Sequence, residues 1–103
     1  MGIVVRIIQQ FDPGHENEFM ELEKKFDELE KKRQDFPKGK RMQPISASEP
    51  VNTLIWQHEF PDFTAAYQAL DFFSGDEGHE KLFRQQVIYM KQVKIEFYKT
   101  LDF

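Results

Sequence analysis

Residues 3–10, IVVRIIQQ, carry apolar side chains on both alternating faces: Ile3, Val5 and Ile7 on one, Val4 and Ile8 on the other. Successive side chains of an extended chain point to opposite sides. A strand of this kind therefore needs cover on both sides, and the rest of the chain has to supply it. With 103 residues there is room for one domain. Hydrophobic residues make up 40% of the chain and eleven are Phe, enough for a packed core and against a disordered chain.

Helix signals follow the strand. Asp12 suits an N-cap, Pro13 loses no hydrogen bond at the first helical position, and Glu16 and Glu18 favour the positive end of the helix dipole. The spacing predicts a helix from about Pro13 to Asp35, with Phe19, Leu22, Phe26 and Leu29 as its apolar stripe. Glu21–Lys25, Asp27–Lys31 and Glu28–Lys32, each four apart with the acid first, suit a solvated face. Phe36-Pro37-Lys38-Gly39 ends the helix.

A short, partly polar strand is expected over Lys40–Ala47, with Pro44 pointing to a sheet edge. A third strand covers Val51–Phe60, VNTLIWQHEF. Asp62 caps a helix whose buried stripe is Phe63, Ala66, Tyr67, Leu70 and Phe73, and Gly75 marks its end. Asp76 or Glu77 opens a further helix to about Met90, with Leu82, Phe83, Val87 and Met90 inward. Val93–Thr100 alternates as a last strand. No repeat or linker interrupts the order, so residues 1–103 form a single domain. The order β-α-β-β-α-β implies an α+β, ferredoxin-like fold: a four-stranded antiparallel sheet with helices on one face. The other face would be a large apolar patch if left in water. A second copy of the same sheet is the simplest cover, so a homodimer is expected.

The net charge of −4 argues against general nucleic-acid or anionic-membrane binding. The cations Lys31, Lys32, Arg33, Lys38, Lys40 and Arg41 are clustered, but acidic residues flank them and a helix C-terminus favours cations on its own account. There is no Cys, hence no disulfide or thiolate chemistry. No apolar run approaches the ~20 residues of a membrane span. The start MGIVVRII has no leader-like pattern, and a cytoplasmic location is expected. A phosphate-binding Gly-rich loop, a His-Glu-x-x-His pair and a Ser nucleophile elbow are all missing.

Three stretches carry a resemblance. Asp12-Pro13-Gly14-His15-Glu16-Asn17-Glu18-Phe19 resembles a Pro-Gly-x-Glu-x-x-Phe helix entry. Ile55-Trp56-Gln57-His58-Glu59-Phe60-Pro61-Asp62 resembles a third strand and the cap after it. Asp76-Glu77-Gly78-His79, with Glu96-Phe97-Tyr98, resembles a late helix and closing strand. Together they resemble the dimeric α+β barrel superfamily, closest to its NIPSNAP-like and antibiotic-biosynthesis-monooxygenase-like members. The resemblance implies the fold and a homodimer. Activity is varied in the superfamily: cofactor-free oxygenases, haem-degrading enzymes and muconolactone-type isomerases all occur. Haem-degrading members use an Asn, a Trp and a His. By this resemblance His79 stands at the His position, whereas Ile7 and Ala69 stand at the other two, which argues against haem breakdown by that mechanism. The cofactor is left open.

On the third strand Leu54, Trp56, His58 and Phe60 share one face. If that face lines a barrel, His58 is a candidate general base in an aromatic pocket; if it meets the helices, Trp56 is core and His58 lies at the rim. His79 is a candidate proton carrier or axial ligand, or a surface residue of a first helical turn, and His15 is a surface residue. Arg6, Gln9 and Gln10 are polar on an apolar strand and would orient a small ligand if they point inward, Arg6 needing an anionic partner. Tyr67 and Tyr98 serve either a ligand site or packing. The readings carried forward are a small apolar or aromatic ligand in a cavity, with oxygenase-like or isomerase-like chemistry by His58 or His79, and a non-catalytic module whose function is dimerisation.

Overall fold

A computed structural model describes residues 2–103. Four strands form one antiparallel sheet in the order β2-β3-β1-β4: β1 is Ile3–Phe11, β2 Lys40–Met42, β3 Thr53–Phe60 and β4 Met90–Lys99. Helix α1 spans Glu16–Lys32, α2 Phe63–Gly75 and α3 Glu77–Gln86. The α+β, ferredoxin-like arrangement expected from the element order is the one observed.

Register decides which side chains meet the helices. Across the sheet Val5 lies between His58 and Phe97, Ile7 between Trp56 and Ile95, and Gln9 between Leu54 and Val93. These residues share the helix side. There Val5, Trp56 and Phe60 pack with Phe36 and with Ala66 and Phe73 of α2. Phe11 and Leu54 pack with Phe19 of α1, the rings of Phe11 and Phe19 stacking at 4.7 Å. Burying side chains of this size contributes about 1.5–3 kcal/mol each.

Local chemistry shortens several expected elements. Asp12 accepts from the Gly14 amide at 2.9 Å. This closes a tight turn over Pro13–His15, so α1 begins at Glu16. It stops at Lys32 because Arg33 is extended (φ −118°, ψ 133°). The Lys38 ammonium then folds back onto the end of the helix. It donates to the carbonyl of Glu30, in the last turn of the helix, and to those of Arg33 and Phe36 in the segment that follows. Strand β2 is three residues rather than eight, consistent with Pro44 ending it. Strand β4 starts at Met90, three residues before its expected first residue, after a tight turn over Val87–Tyr89. Asp62 and Asp76 cap α2 and α3, accepting from Ala65 at 2.8 Å and His79 at 3.0 Å.

The buried stripes also differ from those the spacing predicts. On α1, Phe19 and Phe26 are buried as expected, but Glu23 and Glu30 are buried beside them while Leu22 and Leu29 are half-buried. Tyr67 of α2 is 62% exposed, and Phe63, Phe83 and Val87 are also exposed. On α3 the buried residue is Gln86. The helices cover the sheet unevenly: Val93, Ile95 and Phe97, on the helix side of β4, are all at least partly open.

Among the described residues no helix crosses the opposite sheet face. Arg6 lies there, its Nε donating to Gln57 Oε1 at 2.7 Å and its guanidinium 5.3 Å from the centre of the Tyr98 ring. One end of this face meets the 43–52 loop through a Lys94–Glu49 ion pair of 2.5 Å. Among the described residues no helix is long and apolar enough to cross a membrane.

Candidate functional site

The uneven cover leaves a cavity of about 360 Å³ between sheet and helices, open toward β4. Its floor is Ile7 and Gln9 of β1, Trp56 of β3 and Val93 and Ile95 of β4. Phe26 of α1, Leu70 and Phe73 of α2, and His79 and Phe83 of α3 form the other walls. The lining is mostly aromatic and aliphatic, with a few polar groups converging on one side, as small-molecule sites commonly are.

The polar side is a network of charges. Arg41, projecting from β2 beside Trp56, donates through Nε to Glu23 at 2.6 Å and through Nη2 to Glu30 at 2.5 Å. Its Nη1 reaches Asp27 and Glu30, both at 3.3 Å. Glu30 also accepts from the Trp56 indole N–H and from the Gly39 amide, both at 3.3 Å. Gln86 donates to Glu23 at 2.8 Å and to the Phe19 carbonyl at 3.3 Å. Burial alone would pull the Arg41 guanidinium down, but the hydrogen bonds and charges of Glu30 and Glu23 outweigh it and hold its pKa above the ordinary value. Buried charges of this kind persist only when paired.

His79 occupies the aromatic side. Its ring stacks on Phe73 at 5.2 Å and meets Phe26 at 4.9 Å. Burial lowers its pKa from 6.5, outweighing the opposing charges of Glu80, Asp76 and Glu30. The imidazole is therefore neutral at pH 7 and able to accept a proton. Its position is set through α3: Asp76 holds the His79 amide and also pairs with Arg33 Nη1 at 2.7 Å. The backbone bond from His79 and the Arg33 guanidinium keep Asp76 below the usual carboxylate range, against the opposing effect of burial. Two buried atoms of cavity-lining residues, Nδ1 of His79 and Oε1 of Gln9, have no hydrogen-bond partner among the described residues.

The sequence candidates divide clearly. Gln9, Trp56 and His79 line the cavity. The Leu54–Trp56–His58–Phe60 face meets the helices, so Trp56 is buried and His58 sits at the rim, hydrogen-bonded to the Lys38 carbonyl at 2.9 Å. His58 is not part of the cavity lining. Arg6 and Tyr98 are on the helix-free face because even-numbered residues of β1, and those of β4 beyond the register shift at Gln10/Phe11, point that way. Gln10 shares that parity. Tyr67 is on the open side of α2. His15 stays at the surface, bonded to Asp12 at 3.0 Å. The basic cluster does not form one surface: Arg41 turns into the charge network, Lys38 caps α1, and Arg33 bridges Asp35 and Asp76.

Glu23, Glu30, Arg41 and Gln86 escaped sequence reasoning. A signal for two of them was present, since Phe19, Glu23, Phe26 and Glu30 recur at spacings of four, three and four along one helix face. Among the described residues no group of three or more His, Cys, Asp or Glu is placed to hold a metal.

The architecture is that of known structures. An uncharacterised NIPSNAP domain protein from Burkholderia xenovorans superposes with a TM-score of 0.80 at 12% identity, over 98% of this chain and 96% of that one. A NIPSNAP family protein from Agrobacterium tumefaciens gives 0.79 at 11% identity, over 99% and 88%. A Nitrosomonas europaea structure assigned provisionally to the antibiotic biosynthesis monooxygenases gives 0.69 at 13% identity, over 97% and 90%. The chain thus has the fold of the NIPSNAP and antibiotic-biosynthesis-monooxygenase-like structures, as its motifs suggested. No family model matches the chain, and no curated protein is similar to it.

Proposed function

We propose that this protein is a homodimer that binds a small, mainly apolar or aromatic compound in the cavity between helices and sheet, with His79 as a proton acceptor there. The observation that carries the reading is the pair of unpartnered buried atoms, His79 Nδ1 and Gln9 Oε1, beside a roomy aromatic cavity. Buried polar atoms ordinarily have partners, and a bound molecule would supply them. A neutral imidazole can take a proton from an acidic O–H or C–H, the step shared by isomerase-like and cofactor-free oxygenase-like chemistry. Trp56 would pack the bound ring.

The test uses the chain's single Trp, which sits in the cavity wall. Small aromatic alcohols and quinols should change Trp56 emission and raise the melting temperature. Ile95→Phe, which fills the open side of the cavity, should abolish both effects, and His79→Gln should retain binding while losing turnover. Native mass spectrometry of freshly purified protein should reveal a retained small molecule. If no compound binds and Ile95→Phe behaves as wild type, the cavity reading fails. The rival, a module whose function is association, would then stand. The exposed apolar side chains of β4 are what favour that rival.

A further inference from the structure

Hydrogen-bond donors and acceptors around the cavity are out of balance. Most of the lining donors are committed within the protein. Nε, Nη1 and Nη2 of Arg41 all point at carboxylates, the Trp56 N–H at Glu30, and the Gln86 amide at Glu23 and the Phe19 carbonyl. Acceptors remain. Oε1 of Gln9 is buried without a partner. Each Glu23 oxygen takes one side-chain bond, from Gln86 and Arg41 respectively, whereas a carboxylate offers about four lone-pair sites.

Charge points the same way. Glu23, Glu30 and Glu80 border the cavity with Arg41 as the cation among them. The further carboxylate on Arg41, Asp27, is matched separately by Lys31 at 2.8 Å. Lys38 is occupied by three carbonyls at the end of α1. An anionic ligand would meet surplus negative charge and no uncommitted cation. A ligand cation would meet carboxylates and the faces of Phe26 and Phe73, which attract positive charge.

We infer that the ligand is a protonated amine carried on an aromatic or apolar body, its N–H groups directed to Glu23 and Gln9. This rests on the reading of the cavity as a ligand site. The surplus of lining carboxylates over Arg41 is what disfavours a carboxylate or phosphate ligand of the same shape.

The experiment compares three probes that share a phenyl ring, 2-phenylethylamine, 2-phenylethanol and phenylacetate, by calorimetry at pH 7.5 on the full chain. The amine should bind at least about tenfold more tightly than the acid, a preference of about 1.4 kcal/mol, with the alcohol between. Glu23→Gln should shrink the amine-to-acid ratio to within about threefold, since most of the preference comes from charge close to the ligand. Glu80→Gln, at the rim and outside the hydrogen-bonded network, should shrink it less; it keeps the test open if Glu23→Gln does not fold. Ile95→Phe should abolish binding of all three probes. Acid binding as tight as amine binding overturns the inference, as does a ratio that Glu23→Gln and Glu80→Gln both leave unchanged. If the alcohol binds wild type but not Ile95→Phe and the amine has no advantage, the cavity reading survives and the amine inference falls. If no probe binds, both fall.

Discussion

Arg6 and Arg41 are both arginines on strands, and the sheet treats them in opposite ways. Arg6 is on central β1, where a buried cation would be expected, yet it emerges on the helix-free face against the neutral Gln57 and the Tyr98 ring. Arg41 is on the three-residue edge strand β2, where an exposed cation would be expected, yet it turns under α1 into a ring of carboxylates. Strand position in the sheet does not decide this. Parity does: Arg41 is opposite Trp56 and shares its helix-side face, whereas Arg6 is opposite Gln57. One register step exchanges the two faces.

The comparison breaks most sharply at Arg41. Arg41→Met leaves Glu23 and Glu30 buried without their cation. The expected loss is about 3–5 kcal/mol of stability, read by urea unfolding at pH 7. Adding Glu23→Gln and Glu30→Gln to the same chain should recover most of it, because the cost lies in the uncompensated carboxylates. A loss below about 1 kcal/mol for Arg41→Met would mean the network exchanges freely with water.

Gly39→Ala probes the same wall by shape. A Cβ at Gly39 would stand 1.7 Å from Trp56 Nε1, so the indole or the loop must move. The expected cost is about 1–3 kcal/mol, with altered Trp56 emission as the indole N–H is displaced from Glu30. Unchanged emission would show that the loop, not the indole, gives way.

These two sites also mark where the sequence stopped being legible. Strands, helix caps and element order follow from alternation, Asp12, Asp62, Asp76 and the helix spacings, all local signals. The homodimer expectation used the same logic on the uncovered face. The site was harder because it depends on pairings distant in the chain. Glu23 and Glu30 carry no signal of their own until Arg41, 18 and 11 residues away, is brought over them. Arg41 in turn read as one of six clustered cations. His79 followed a glycine at the start of a helix and read either as a proton carrier or axial ligand or as a surface residue. Only the meeting of α1 and α2 around it places Phe26 and Phe73 against its ring.

The burial of His79 has a pH signature. Its folded-state pKa is lowered, so as pH falls the unfolded chain takes up the proton first. The contribution to stability is complete above the unfolded-state value near 6.5, declines as pH drops through it, and levels off below the folded-state pKa. Melting temperatures from pH 8 to 5 should fall more steeply for wild type than for His79→Gln. Parallel curves would place the imidazole in water in both states.

Arg6→Ala should have the smallest effect on the single fold and the most informative one on assembly. Its bond to Gln57 is a single bond from a cation to a neutral amide on a face without a helix, so unfolding stability should change by only about 1–2 kcal/mol. If a second copy covers that face, however, Arg6 and Tyr98 lie within the contact. Sedimentation at micromolar concentration should then show a dimer for wild type and a weaker one for Arg6→Ala. Removing Arg41 would act oppositely, unfolding the chain before it affects association. A monomeric wild type under these conditions would leave Val4 half-buried, without the second layer that the alternation of β1 demands, although Ile8 is already buried within the single chain.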